Sequence, residues 1–103
     1  MISDPMVERA VQVIAEAIHP QKIILFGSRA MGTARPDSDL SLVIIYGGEK
    51  SKRQVKLDIH HLLEPASFPL DLFVLSPEEM RRQRHVANTL AREVSERGVT
   101  VYG

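Results

Sequence analysis

A glycine-serine pair and two carboxylates are the residues of this sequence whose types and spacing suggest chemistry. Gly27 and Ser28 directly follow an apolar run, and ten residues separate Ser28 from Asp39. Because glycine lacks a Cβ atom, the chain can turn sharply there and let a phosphate group approach the backbone. The Ser28 hydroxyl and the amides of a helix beginning at that residue would form an anion site. The pattern predicts a phosphate-binding turn, and a plain tight turn is the alternative.

The two carboxylates are placed on neighbouring strands. Asp39 is predicted to open a strand and to share a face with Ser41, because side chains two apart on a strand point the same way. Asp71 lies inside the apolar run Leu70–Leu75, where burying a carboxylate is costly unless it is paired or binds a cation. These acids are candidate ligands for Mg²⁺, which prefers carboxylate and phosphate oxygens. The alternatives are a turn cap for Asp39 and an ion pair with lysine or arginine for Asp71.

Helices and strands alternate along the chain and must position these residues. Proline, glycine and capping residues mark the boundaries, and hydrophobic periodicity assigns the types. The prediction is an α/β domain of α-β-α-β-α-β-α-β order with helices packed against one sheet. The predicted elements are a helix at 5–18 capped by Asp4, a strand Lys22–Phe26, a short helix from Ser28, a strand at 39–46, a helix from Ser51 carrying Val55, Ile59, Leu62 and Leu63, a strand Leu70–Leu75, a helix from Pro77 bent near His85 with Val86, Leu90 and Val94 inside, and an edge strand Val99–Tyr102.

Length and composition limit the possible functions. The 103 residues fit a single domain, 1–103. Thirteen basic side chains balance thirteen acidic ones, and the pI is about 6.9, which argues against binding duplex DNA through a broad positive surface. The absence of cysteine excludes disulfides and thiolate chemistry. No apolar run approaches the roughly 20 residues of a membrane span, and the N-terminus does not read as a signal peptide, so we expect a cytoplasmic protein.

Three further groups of polar residues have weaker interpretations. His60 and His61 are adjacent, so on a helix they point about 100° apart and do not easily grip one metal ion; we expect one packed and one exposed. Lys52 and Arg53 either steer a triphosphate or form a solvated face. The basic cluster 81–85 either meets RNA or an acidic partner, or is an exposed surface.

The combined pattern resembles the minimal nucleotidyltransferases of the DNA polymerase beta superfamily, whose signature is Gly-Ser, ten residues and then Asp-x-Asp. Residues 27–32 look like the opening run of that family, and residues 38–40 look like the start of its acidic strand. Asp71 stands where the family carries a third carboxylate. Residues 92–102 resemble its closing helix and edge strand. The resemblance covers nearly the whole chain and implies a small mixed β-sheet with helices packed against it, a fold of the nucleotidyltransferase type.

The resemblance also implies an activity. Such a domain binds an NTP such as ATP with Mg²⁺ or Mn²⁺ and transfers a nucleoside monophosphate to a hydroxyl group, releasing pyrophosphate. Asp39 would hold the nucleotide-bound metal, and Asp71 would bind a second metal and help deprotonate the acceptor. Gly27, Ser28 and Arg29 would bind the nucleotide, although for Arg29 a solvated surface position is an equal alternative.

One position departs from the family pattern. Ser41 stands where the second aspartate is expected, and a neutral hydroxyl is a poor substitute for a charged ligand. Asp37 does not restore the motif, since it follows Pro36 in the loop, and we expect it to be solvated or an outer-shell group. Losing one such electrostatic contact costs about 10²–10³ in rate. The alternative function is therefore a weakened or inactive homologue that acts by binding a partner, as an antitoxin does.

Partners are implied as well. Small domains of this family often act with a helical partner of the HEPN type, sometimes as the antitoxin that modifies a toxin, so the expected acceptor is on a partner protein. The small size and the apolar third and last strands suggest a homodimer. A nucleic-acid-binding module using the basic cluster is the weakest alternative, and nucleic acid is not an expected partner.

Overall fold

The computed structural model describes residues 4–35, 38–64 and 69–103. Over these ranges the chain forms five helices and four strands, and the order matches the prediction except for one additional helix. The elements are α1 Pro5–Ile18, β1 Lys22–Phe26, α2 Ser28–Met31, β2 Leu40–Ile45, α3 Lys52–Leu62, β3 Leu70–Leu75, α4 Pro77–Gln83, α5 Leu90–Arg97 and β4 Val99–Tyr102.

Local signals set most of the helix ends. The Asp4 carboxylate accepts a hydrogen bond from an amide of the first turn of α1, and Pro5 occupies the first helical position. His19 ends that helix in a left-handed conformation. Ser76 and Glu79 form a reciprocal capping box at α4, in which each side chain accepts from the other's backbone amide. These three boundaries confirm the sequence prediction.

The four strands form one mixed sheet in the order β3-β2-β1-β4. β1 runs antiparallel to β2 and β4, whereas β2 and β3 are parallel. Phe26, Ser41 and Asp71 lie side by side across β1, β2 and β3. The sheet thus joins the turn after β1 to the beginnings of β2 and β3, and it confirms the mixed α+β architecture.

Hydrophobic packing covers both faces of the sheet. Helices α1 and α3 cover one face, and their buried side chains contact the inward residues of every strand. Helices α4 and α5 cover part of the other face around Val94. The main residues of the first layer are Val7, Ile14, Val55, Ile59, Ile23, Leu25, Leu42, Ile44, Leu72 and Val74. Those of the second are Ile24, Val43, Ile45 and Val94, with Phe26, Phe73, Leu75, Met80 and Leu90 packed beside them.

The predicted bent helix is wrong, because the chain there forms two helices. Asn88 adopts a left-handed φ of 65° and breaks the helical path. Thr89 then caps α5 by accepting from the Arg92 amide, and its hydroxyl donates to the carbonyl oxygens of Gln83 and Val86. Val86 is consequently 50% exposed rather than packed inside.

Three smaller expectations also need correction. β2 begins at Leu40 rather than at Asp39. Leu62 is 42% exposed, because Leu63, four residues after Ile59, takes the place that packs against the core. The adjacent residues His60 and His61 are both exposed, because Ile59 and Leu63 occupy the inward positions of this turn. In the ranges that the structure describes, no helix has the length and apolar character needed to cross a membrane.

Candidate functional site

The turn after β1 has the geometry expected of a close-approach site. Gly27 has a φ of 79° and a ψ of −159°, a conformation that is essentially restricted to glycine. Its carbonyl oxygen accepts from the amides of Ala30 and Met31, at 3.1 and 3.2 Å, so the short helix α2 starts immediately at Ser28. The first amides of a helix have no carbonyl partner within it. The Ala30 and Met31 amides are used within the turn, and Ser28, with its hydroxyl, stands at the start of α2 beside a residue without a side chain.

Ser41 lies against this turn. A methyl group placed on Gly27 would sit 3.5 Å from Ser41 Oγ. Ser41 in turn pairs with Asp71 on the parallel strand β3, and neighbouring strands are about 4.8 Å apart. Val43 and Phe73, which lie two residues further along the same strands, belong to the layer covered by α4 and α5. Because side chains two apart on a strand point the same way, Ser41 and Asp71 lie on that face of the sheet. The fold thus brings the glycine turn, Ser41 and Asp71 together at one end of the sheet.

Asp39 stands at the entrance to β2. Its side chain is exposed, and the next residue, Leu40, donates its amide to the Pro69 carbonyl oxygen at 2.9 Å. Since Pro69 directly precedes β3, Asp39 lies at the end of the sheet where Asp71 is found. Asp39 lies one position before the start of β2, so the alternation of side chains along the strand does not fix its direction. That Asp39 shares a face with Ser41 remains a prediction.

The surroundings of Asp71 differ from the expectation. Its side chain is exposed, whereas the flanking Leu72 is buried. The burial cost inferred from the apolar strand therefore does not arise, because β3 is an edge strand and this end of its face is not covered by a helix. Ser41 is only 9% exposed. The open part of the site is formed by carboxylates, and the serine forms its floor.

Arg29 has a structural environment that sequence reasoning missed. Its side chain is 6% exposed, so the solvated alternative is wrong. The guanidinium donates to the Ser38 carbonyl oxygen through Nη2 and Nε, at 2.8 and 3.2 Å, and to Asp4 Oδ2 through Nη1 at 2.9 Å. Arg29 therefore links Ser38, the residue before Asp39, to Asp4, the residue that caps α1. Because Asp4 is 25 positions away in the chain, no local pattern signals this contact.

The donors present fit one magnesium ion better than two. Mg²⁺ in nucleotide sites is commonly held by one or two carboxylates, several waters and the phosphates themselves. Asp39 and Asp71 are exposed carboxylates, and the Ser41 hydroxyl is a weaker oxygen donor. Within 4–35, 38–64 and 69–103, no group of three or more histidine, aspartate or glutamate side chains is arranged to hold a metal. These two carboxylates and the serine hydroxyl would suit a magnesium ion that arrives already bound to a triphosphate.

The remaining candidates lie apart from this arrangement. Lys52 forms an ion pair with Glu79 at 2.6 Å, and Arg53 is exposed. In the basic cluster 81–85, all four charged or ionisable residues are exposed at the end of α4 and in the following loop. Asp37, considered as an outer-shell group, lies outside the described residues.

Comparison with known proteins identifies the class. The family model described as polymerase beta, nucleotidyltransferase matches residues 8–102, and the chain therefore belongs to that nucleotidyltransferase family. A crystal structure of a toxin-antitoxin with AMP-PNP superposes with a TM-score of 0.66 at 19% identity, covering 93% of this chain and 73% of the other. A Sulfolobus solfataricus protein assigned as a nucleotidyltransferase gives a TM-score of 0.60 at 19% identity, with 92% and 75% covered. No curated protein sequence gives a significant match.

Proposed function

We propose that this domain binds Mg-ATP and transfers AMP to a hydroxyl group on a partner protein. Membership of the nucleotidyltransferase family supports the general reaction. The observation that carries the proposal is the proximity of Gly27 to Ser41, which is close enough for a methyl group on Gly27 to reach its hydroxyl, with Asp71 beside Ser41 on the next strand. That proximity supports the proposal, because a metal-dependent phosphoryl site needs phosphate-binding donors and carboxylates close together.

Each part of the site has a defined task in this reaction. The glycine turn and the Ser28 hydroxyl hold the triphosphate, and Asp39 and Asp71 are the residues that would hold Mg²⁺. The ion, when bound, neutralises charge on the phosphates and on the leaving group. The acceptor oxygen bonds to the α-phosphorus while the bond from that phosphorus to pyrophosphate breaks. Asp71 accepts the hydroxyl proton, for which its exposed carboxylate on the open face is suited.

Arg29 contributes to this site by positioning, in our proposal. Its two hydrogen bonds to the Ser38 carbonyl oxygen hold the backbone immediately before Asp39. A direct contact between Arg29 and a phosphate remains a prediction from the family motif.

Ser41 favours an alternative within the same family, a weakened or inactive transferase that serves as a partner-binding, antitoxin-like protein. The position that carries a carboxylate in the family motif holds a nearly buried hydroxyl here. With two carboxylates the second metal would be weakly held, and nucleotide binding would survive better than catalysis. The two functions differ in how much AMP the native protein transfers.

Label transfer from α-³²P-ATP distinguishes these functions. The protein is incubated with Mg²⁺ or Mn²⁺ and with candidate partner proteins, beginning with those encoded beside it. We expect transfer that falls about 10²–10³-fold in Asp39→Ala and in Asp71→Asn. Glu49→Gln is the matched control, because Glu49 is an exposed acid that follows the opposite end of β2.

The Ser41→Asp variant supplies the remaining comparison. Transfer that appears only in this variant would assign the native protein to the weakened class. If neither protein transfers label and neither binds Mg-ATP in calorimetry, the proposal is wrong.

The partner and the assembly are also proposals. The toxin-antitoxin neighbour supports a protein partner of the domain, and a HEPN-type helical protein remains the expectation from the family resemblance. Both β3 and β4 are edge strands, which is consistent with a homodimer without establishing one. Sedimentation at high concentration tests for the dimer directly.

A further inference from the structure

A groove of about 720 Å³ runs between α1 and β4, away from the face that carries Asp71. Its floor is apolar and is built by Val7 and Val11 from the helix and by Val99 and Val101 from the strand. The first two are buried beneath it, and the other two are half-buried. Apolar clefts of this size on small proteins commonly mark binding sites.

One wall of the groove is acidic. Glu8, Gln12 and Glu16 lie four residues apart on α1 and form an exposed row along the groove. No lysine or arginine lies among the described residues that line it. With 1.5 Å of rise per residue, the two carboxylates are about 12 Å apart along the helix axis. The charge of the groove therefore favours a partner with cations at a matching separation.

The open edge of β4 does not favour addition of another strand. The pairing of β1 with β4 shifts between Ile23 and Ile24, which leaves Val101 as an extra residue in β4. Such bulges distort an edge strand and discourage pairing with a further strand. Helix α1, by contrast, offers an exposed acidic row at four-residue spacing beside the half-buried Val99 and Val101 of β4, and a row of this kind packs against a second helix.

We propose that this groove binds an amphipathic helix of a partner protein, with apolar side chains on the valine floor and lysine or arginine opposite Glu8 and Glu16. The matching cations would be seven or eight residues apart on that helix, which corresponds to about 10–12 Å. A second copy of this chain is disfavoured as the occupant, because a two-fold contact would place the same acidic row of each copy face to face. Binding in the groove does not depend on catalysis. Val99 pairs with Leu25, which is two residues before Gly27, so one end of the bound helix would lie close to the glycine turn.

Synthetic helical peptides test the proposal with the intact protein. One peptide carries a leucine stripe flanked by lysines seven residues apart, and a second has the same stripe with glutamates at those positions. Binding is followed by chemical shifts of the ¹⁵N-labelled protein. We expect a dissociation constant for the lysine peptide below about 1 mM and at least tenfold tighter than for the glutamate peptide, with shifts concentrated at Val7, Val11 and Val99. The Glu8→Lys/Glu16→Lys double variant should reverse the preference, and Glu49→Lys/Glu93→Lys, which places the same charges elsewhere, should not.

Several outcomes would overturn the proposal. Equal binding of the two peptides would show a groove without charge selection, and shifts outside the groove would place the site elsewhere. A dimer that is detected by sedimentation and abolished by Val99→Asp would assign the groove to a second copy. Loss of label transfer alone, with peptide binding intact, would count against the proposed catalytic function and leave this inference standing.

Discussion

Gly27 and Gly32 flank the short helix α2 and both have positive φ angles, 79° and 75°. An alanine at either position would be strained, and we expect Gly27→Ala to lower the free energy of unfolding by about 1–3 kcal/mol and Gly32→Ala by about 1–2 kcal/mol. Only Gly27 touches Ser41, whereas the space around Gly32 is open. Urea denaturation should therefore show two destabilised proteins, while calorimetry should show impaired Mg-ATP binding for Gly27→Ala alone.

Equal nucleotide affinity in the two glycine variants would contradict the placement of phosphate at the Gly27 turn.

The serine and aspartate residues in this region show how much of the candidate site can be predicted from local sequence. The spacing from Ser28 to Asp39 and the strand containing Asp71 predict a shared site; the structure pairs Ser41 with Asp71, and the site itself stays a prediction. The exposure of Asp71 was not predictable, because it depends on β3 being at the sheet edge and on where α4 and α5 stop covering that face.

The Glu79 carboxylate, which belongs to the capping box of α4, should make this element sensitive to acid. The ammonium group of Lys52 and the backbone amide of Ser76 stabilise the Glu79 carboxylate and lower its pKa below the usual 4.5. Because the folded pKa is the lower one, the stabilisation is present above pH 4.5 and is lost as the pH falls through the folded pKa. We expect Glu79→Gln to reduce the pH dependence of the melting temperature in that acidic range.

The neighbouring residue provides the control for this element. Glu78 is exposed and approaches Arg82 only at 4.0 Å, so Glu78→Gln should leave the acid response of the melting temperature nearly unchanged. An identical response of both variants would mean that the Glu79 carboxylate does not determine the acid sensitivity. The boundary of α4 at Ser76 was readable in the sequence because all of its groups are within four residues. The break at Asn88 was not, since Thr89 must reach two carbonyl groups that only the folded loop supplies.

At the scale of the whole molecule, Arg29 connects α2, α1 and the entrance to β2 through one buried guanidinium. Arg29→Met would leave the Ser38 carbonyl oxygen without these donors, and we expect unfolding to become easier by about 2–3 kcal/mol. Arg29→Lys should recover less than half of this, because an ammonium cannot reproduce the planar fork of donors. Denaturant titration measures both effects.

A comparison at Asp4 separates charge from geometry in this connection. Asp4→Asn keeps a residue that caps α1 well and removes only the charge of a partly exposed pair, so its cost should stay below about 1 kcal/mol. If Asp4→Asn and Arg29→Met were equally destabilising, the ion pair rather than the Ser38 bonds would be the important contact.

The overall fold itself was predictable, since its helices and strands carry regular apolar patterns. The three-way contact of Arg29 was not, because it joins positions that are distant in the chain.

The pairing of β2 with β3 also determines when the site can exist during synthesis. Strands β1 and β2 are joined by a short connection, whereas Asp71 reaches Ser41 only after α3 has crossed over and β3 has joined in parallel. A nascent chain that has emerged from the ribosome only as far as α3 would carry the glycine turn and Asp39 but not Asp71. Under the proposed function, AMP transfer would therefore require that β3, in the last third of the chain, has been translated and paired with β2.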